Sequence, residues 1–415
     1  MNSIRNLTLR VISVAVIAAL GIVLLLAVGD REGTASTDLS GMNVTTVSPA
    51  SGRMLYAQVD GGNASGVYRS TDGGRNWQLA SQRLGRNVNV LAASAADPRI
   101  VYAGTSAGAV SSNGNSLFIS TDGGRNWENT PLALPMNTDA RAPAVLSLAV
   151  DRSGAVYVGT DGQGVYKLMD RGTTMIALGD ALHGARVDQL LFSPDNSERL
   201  FAVTSMGLFV SLNEGANWSE ITTPPEHVVS LAVAPSDART MYVGTASMGA
   251  FRSTDGGQTW QSIGEGLGLT PGVPLTVRGL EVDAHDPSVV YAVPSYLLGT
   301  GEVHEVPLGV FVSNDGGDSW RKLTDAGNAE RVNALLPDPN GQADVLLGTA
   351  QGVFSADQER VAAASAEGTS GSPAAHAVEQ ADGTSWDRVL IILLTIAAVA
   401  VVIVSNPARI WRKSA

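Results

Sequence analysis

Along the middle of the chain, short runs of apolar and β-branched residues alternate with polar turn residues. Val101–Thr105 (VYAGT) and Ala250–Thr254 (AFRST) are typical: both carry aromatic and β-branched side chains and are bounded by Gly, Ser, Asp or Pro. Such runs predict strands. Apolar spacing at three and four residues is not sustained in this region, so helices are not expected there.

The runs recur as a unit. Each unit holds an apolar strand, a Pro/Asp turn, a second strand often ending in Gly-Thr, a third strand, and then a turn of the form S-T-D-G-G-x-x-W. Val88 to Trp127 and Val228 to Trp260 show it most clearly. Units start at Val44, Val88, Val145, Val187, Val228, Val277 and Val332, with a degenerate turn at Asp170 in the third and no terminal Trp in the seventh. Turn tryptophans of adjacent units, where both are present, lie 42 to 60 residues apart, the period of a four-stranded propeller blade. A parallel β-helix needs coils of roughly 20 residues, and nothing repeats at that length. The expected fold is all-β: a seven-bladed β-propeller of four-stranded blades, in which the weakly marked fourth strand of the last blade either comes from 360–365 or is missing.

Two segments stand outside this pattern. Val11 to Val28 carries no charge and follows Arg5 and Arg10; Val389 to Val404 is equally apolar and precedes Arg409, Arg412 and Lys413. A span takes about 20 apolar residues, and basic residues stay on the cytoplasmic side. The expectation is an N-terminal and a C-terminal transmembrane helix, both termini cytoplasmic and the propeller extracytoplasmic; a cleaved signal peptide is the other reading of the first segment. The predicted organisation is 1–29 anchor or signal peptide, 30–41 linker, 42–361 propeller, 362–387 an Ala/Ser/Gly-rich flexible linker, 388–405 transmembrane helix and 406–415 basic tail.

Composition narrows the chemistry. The 415 residues include no Cys, which excludes disulfides, thiolate metal sites and Cys nucleophiles. A net charge of -12 argues against nucleic acid as a partner. The five histidines show no metal spacing and no nucleotide-binding motif is present, so no metal and no cofactor are expected.

The octads Ser70–Trp77, Ser120–Trp127, Ser253–Trp260 and Ser313–Trp320 resemble the Asp-box, or bacterial neuraminidase, repeat. By that resemblance the chain is similar to the propellers of sialidases, certain endo-glucanases, sortilin-type receptors and photosystem II assembly factors, which share a fold and not a function. Asp72, Asp122, Asp255 and Asp315 are read as turn staples accepting backbone N–H groups, and Trp77, Trp127, Trp260 and Trp320 as packing between sheets.

Labelling the strands A to D from axis to rim, the Asp boxes are C–D turns on one face, while the B–C loops and D–A crossovers lie on the other. The longest B–C insertions are Ser106–Ser116 and Pro294–Leu308. Arg86, Arg141, Arg186, His227, Arg278 and Arg331 stand close to the starts of strand A in units two to seven. They form a candidate basic ring at the channel mouth, suited to carboxylate or phosphate; ordinary loop arginines paired with Glu226, Glu330 or Asp188 are the other reading. Arg141-Ala142-Pro143 resembles the sialidase Arg-Ile-Pro motif, although it stands in the third unit rather than the first. Tyr296, in a loop near Glu302 and Glu305, would complete an enzyme candidate of Tyr296, Glu302 and Arg141. Few aromatics remain to line a sugar cleft. The expected function is therefore a membrane-anchored binding or scaffold propeller without catalysis. Its expected partner is a protein or an anionic glycan or lipid; the alternative is a cell-surface glycoside hydrolase, sialidase-like or endo-glucanase-like.

Overall fold

The computed structural model describes residues 39–357 apart from 83, 85–86, 107–114, 137–140, 223–225, 300–301, 325–330 and 338–343. Its strands form seven antiparallel sheets around one axis. The innermost strands are Asn43–Pro49, Val88–Ala93, Val145–Val150, Val187–Phe192, Val228–Val233, Leu275–Val282 and Val332–Pro337. Blades one to five each run A–B–C–D, blade six carries an added strand, and blade seven has three strands among the described residues. Residues 360–365, considered for its fourth strand, lie outside the described residues, as do both apolar terminal segments. Among the described residues no helix is long and apolar enough to cross a membrane.

The core lies between blades, because each sheet buries both faces against its neighbours. Tyr102, Leu117 and Ile119 of blade two pack with Val145, Val156 and Val158 of blade three. The ring closes in the same way: Leu346 of blade seven joins Val44, Leu55 and Trp77 of blade one, and Asn333 Nδ2 donates to the Val44 carbonyl at 2.9 Å. The recurrent Gly-Thr of strand B has a steric cause. A Cβ on Gly244 would fall on the Val277 carbonyl oxygen, and one on Gly104 would collide with the Val145 side chain. Glycine there lets the next blade's first valine approach.

The Asp boxes are self-contained turns. Asp122 Oδ1 accepts from Ser120 Oγ at 2.9 Å and from the Asn126 N–H at 2.9 Å, while Oδ2 accepts from Asn126 Nδ2 at 2.7 Å. Burial would raise its carboxyl, but the hydrogen bonds from Asn126 and Ser120 outweigh it and hold the group below the usual range. Trp127 is fully buried between blades one and two, beside Tyr56 and Leu84. In blades four, five and six the Trp indole donates to the preceding blade instead, to the carbonyls of Leu178, Thr222 and Ile263.

Two local features position the site. Every inner strand bulges just after its first valine, at Thr45, Asn89, Leu146, Asp188, Val229, Arg278 and Asn333. A bulge re-aims the inserted side chain. The second is the 294–308 insertion, expected as a loop. Strand B of blade six instead runs Val290–Leu298 and pairs with an added strand, His304–Pro307. Its two sides alternate in face, so the hairpin has a defined register: Ser295 opposite Pro307, Leu297 opposite Glu305.

Candidate functional site

At the channel mouth most adjacent blades are tied by a side chain from the bulge or the residue after it. Asn89 donates to the Val145 carbonyl, Ser147 to Val187, Gln189 to Leu231, Ser230 to Val277 and Asn333 to Val44, at 2.8–3.0 Å. Blade six has Arg278 and Gly279 at these positions, and no such tie to blade seven is present among the described residues. Thr45 of blade one turns to its own blade, at 3.4 Å from the Gln58 carbonyl. Where blades six, seven and one meet, a cavity of about 510 Å³ opens, within the usual range for ligand pockets. Arg278, Ser295, Glu305, Arg331, Asn43 and Asn333 are among its walls.

Glu305, from the added strand, lies between two cations. Its Oε1 is 3.7 Å from Arg278 Nε and its Oε2 is 3.8 Å from Arg331 Nη2. These separations exceed hydrogen-bond distance, so the ion pairs are loose. Both arginine side chains remain more than half exposed, 54% and 64%.

A second glutamate lies on the same seam. Glu281 follows Gly279 by two residues on strand A, hence on the same face, about 7 Å further from the mouth. It stands opposite Tyr291, whose ring packs with Val345 and Leu347 of blade seven. The corresponding positions of the other blades hold Ser48, Ala92, Ala149, Leu191, Ala232 and Leu336. Glu281 is surrounded by protein yet keeps some solvent contact, as expected on the wall of a narrow channel. Burial pushes its carboxyl up to about 8.

The basic residues expected as a ring are not equivalent. Arg86 lies outside the described residues. Arg141 is exposed at the start of blade three. Arg186 Nε is taken by Asp188 Oδ1 at 2.7 Å. His227 is exposed, with its backbone N–H donating to Glu226 Oε1. Arg278 and Arg331 share one carboxylate.

The sialidase-like trio is not assembled. Tyr296 is a strand residue on the opposite face from Ser295; its hydroxyl donates to the Gly268 carbonyl at 2.6 Å and its ring joins the core between blades five and six. Glu302 is exposed at the hairpin tip, and Arg141 belongs to blade three. The register of the hairpin is the physical reason: it turns Tyr296 into the core between blades five and six and leaves Glu302 at the tip. The sequence pattern singles out neither Glu281 nor, except as a neighbour of Tyr296, Glu305. A charged residue in a repeat position otherwise apolar or small was the available signal for Glu281; for Glu305 it was the alternation of His304–Pro307.

The BNR/Asp-box repeat model matches residues 68–79 and 118–129. The model described as Sortilin, neurotensin receptor 3 (Sortilin-Vps10) matches residues 206–333. The chain is an Asp-box seven-bladed propeller. It is 25% identical over 189 residues to an oligoxyloglucan-reducing end-specific xyloglucanase of Emericella nidulans, covering 40% of this chain and 22% of that enzyme. Its fold is similar to the GH74 xyloglucanase from Xanthomonas campestris, at 18% identity and TM-score 0.61, covering 77% of this chain and 53% of that one. It is also similar to YCF48 bound to D1 peptide, at 15% identity and TM-score 0.56, covering 78% of this chain and 96% of that one. The chain thus matches about a fifth of the curated relative's length and about half of the bacterial enzyme's. The curated relative, a xyloglucanase, corrects the expectation of a scaffold without catalysis in favour of the glycoside hydrolase alternative; the likeness to the solved structures shows the fold.

Proposed function

We propose that this propeller is a glycan-cleaving enzyme whose site is the cavity where blades six, seven and one meet, with Glu305 on its wall and Glu281, next after Gly279 on the same strand face beneath it, as its two carboxyl groups. The observation that carries this reading is a pair of glutamates in opposite surroundings on one seam. Glu281, enveloped by protein and raised to about 8, holds its proton at neutral pH. Glu305 stands in the open cavity between two guanidinium groups. Glycosides are hydrolysed by such a division of labour. The protonated carboxyl gives its proton to the leaving glycosidic oxygen. The carboxylate takes a proton from the water that adds to the anomeric carbon. The xyloglucanase likeness supports the reaction class. The two terminal apolar segments, each with basic residues on its terminal side, support placing the propeller on the extracytoplasmic side of a membrane.

Release of reducing ends from a panel of neutral and acidic polysaccharides by the full chain tests the proposal. Turnover of at least one polymer is expected, with losses of about 10²-fold or more in Glu281→Gln and Glu305→Gln and folded melts for both. No turnover by the wild type, or full activity in both variants, would overturn it.

A further inference from the structure

The arginines at this cavity differ from Arg186 near the same mouth. Arg186 is held by Asp188 at 2.7 Å. Arg278 and Arg331 together face a single carboxylate at 3.7 and 3.8 Å. Among the described residues, two guanidinium groups face one glutamate, a surplus of positive charge in a protein of net charge -12. Glu305 sits loosely between the two, so each keeps N–H donors that can turn to a ligand. The backbone prepares the pair: the bulge at Arg278 re-aims that side chain, and Gly279 follows it where blades three, four and five place tying side chains. Around the pair lie the neutral side chains of Ser295, Asn43 and Asn333, of the kind that suit sugar hydroxyls; Asn333 Nδ2 is engaged by Val44 and Asn43, which leaves Asn333 Oδ1 and Asn43 Nδ2 to a ligand. Guanidinium groups bind carboxylates in a planar, two-pronged fashion.

We infer that the cavity takes a carboxylate-bearing sugar, a uronate-type residue of an acidic glycan, with its carboxylate seated between Arg278 and Arg331. This rests on reading the cavity as the glycan site, and it names the class of glycan. Glu305 then competes with the ligand for the same two cations. Its removal strengthens binding, although it abolishes turnover if the catalytic reading holds.

The test is equilibrium binding of the full chain, in neutral detergent, to an oligogalacturonate and to the same oligosaccharide with its carboxyl groups reduced to alcohols. Poly-glutamate serves as a non-sugar polyanion. The acidic sugar is expected to bind at least about ten-fold tighter than the reduced one and than poly-glutamate, and to weaken as salt rises. Arg278→Gln and Arg331→Gln should each cost about ten-fold with an unchanged melt, and Glu305→Gln should tighten binding several-fold. Equal binding of acidic and reduced sugars overturns the inference. So does equal capture of poly-glutamate, which marks a charge patch without sugar recognition, or weaker binding in Glu305→Gln. Because binding is read without turnover, absent hydrolysis with the expected affinities would sink the catalytic reading alone.

Discussion

Glu281 gives the sharpest expectation at the scale of one residue. Its ordinary value of 4.5 is raised to about 8 by burial. Between those pH values the folded protein holds a proton that the unfolded chain has lost, so stability falls as pH rises through that window and levels off above it. Partial solvent contact of the side chain moderates the penalty. Glu281→Gln removes the coupling and should therefore be nearly neutral at pH 4.5, yet about 2–4 kcal/mol more stable than wild type at pH 8. Chemical denaturation at the two pH values checks this; a variant less stable at pH 8 would show that the ionised carboxylate is satisfied where it lies. The Asp boxes run the other way. Asp315 is held down to about 2 by hydrogen bonds from the Ser319 and Ser313 side chains, so its contribution is present above the ordinary value and fades as pH falls toward 2. Truncation of the buried Trp127 is expected to cost about 3–5 kcal/mol, whereas Asp122→Asn should act only through its turn; thermal melts of both decide. These staples were legible in the octads because Ser, Asp, Gly and Trp stand at fixed spacing and each bonds locally. Glu281 was not, since its significance depends on which residue of the neighbouring strand it opposes.

At the scale of the element, the strand pattern was open to view and the register was not. Alternating runs ending in Gly-Thr announce strand B, and Gly244 shows why the glycine is there: the next blade's backbone occupies the space of a Cβ. Gly244→Ala should thus force blades five and six apart and destabilise by several kcal/mol, in the range of overpacked or strained core sites. A thermal melt within a degree or two of wild type would contradict that close approach. The seven bulges could not be read from apolar spacing, because a bulge adds one residue without changing the composition of the strand. They decide which side chains reach the mouth. The same holds for the insertion of blade six: Tyr296 looked like a loop residue, and pairing with His304–Pro307 makes it a core residue and brings Glu305 to the cavity in its place.

For the whole molecule, ring size followed from the seven strand-A valines, and closure from the apolar faces that each blade must bury. Activity did not follow, because repeat residues build the scaffold while the cavity arises where the repeat lapses, at Arg278 and Gly279, with Glu281 beneath them on the same strand. The pH dependence of kcat/KM for hydrolysis of the best polysaccharide tests the central claim most directly. With Glu281 as proton donor, the alkaline limb should fall near pH 8 in the wild type, and Glu281→Gln should lose both the limb and most of the activity. Robust hydrolysis with an alkaline limb unchanged in Glu281→Gln, or no hydrolysis of any glycan at any pH, would contradict it.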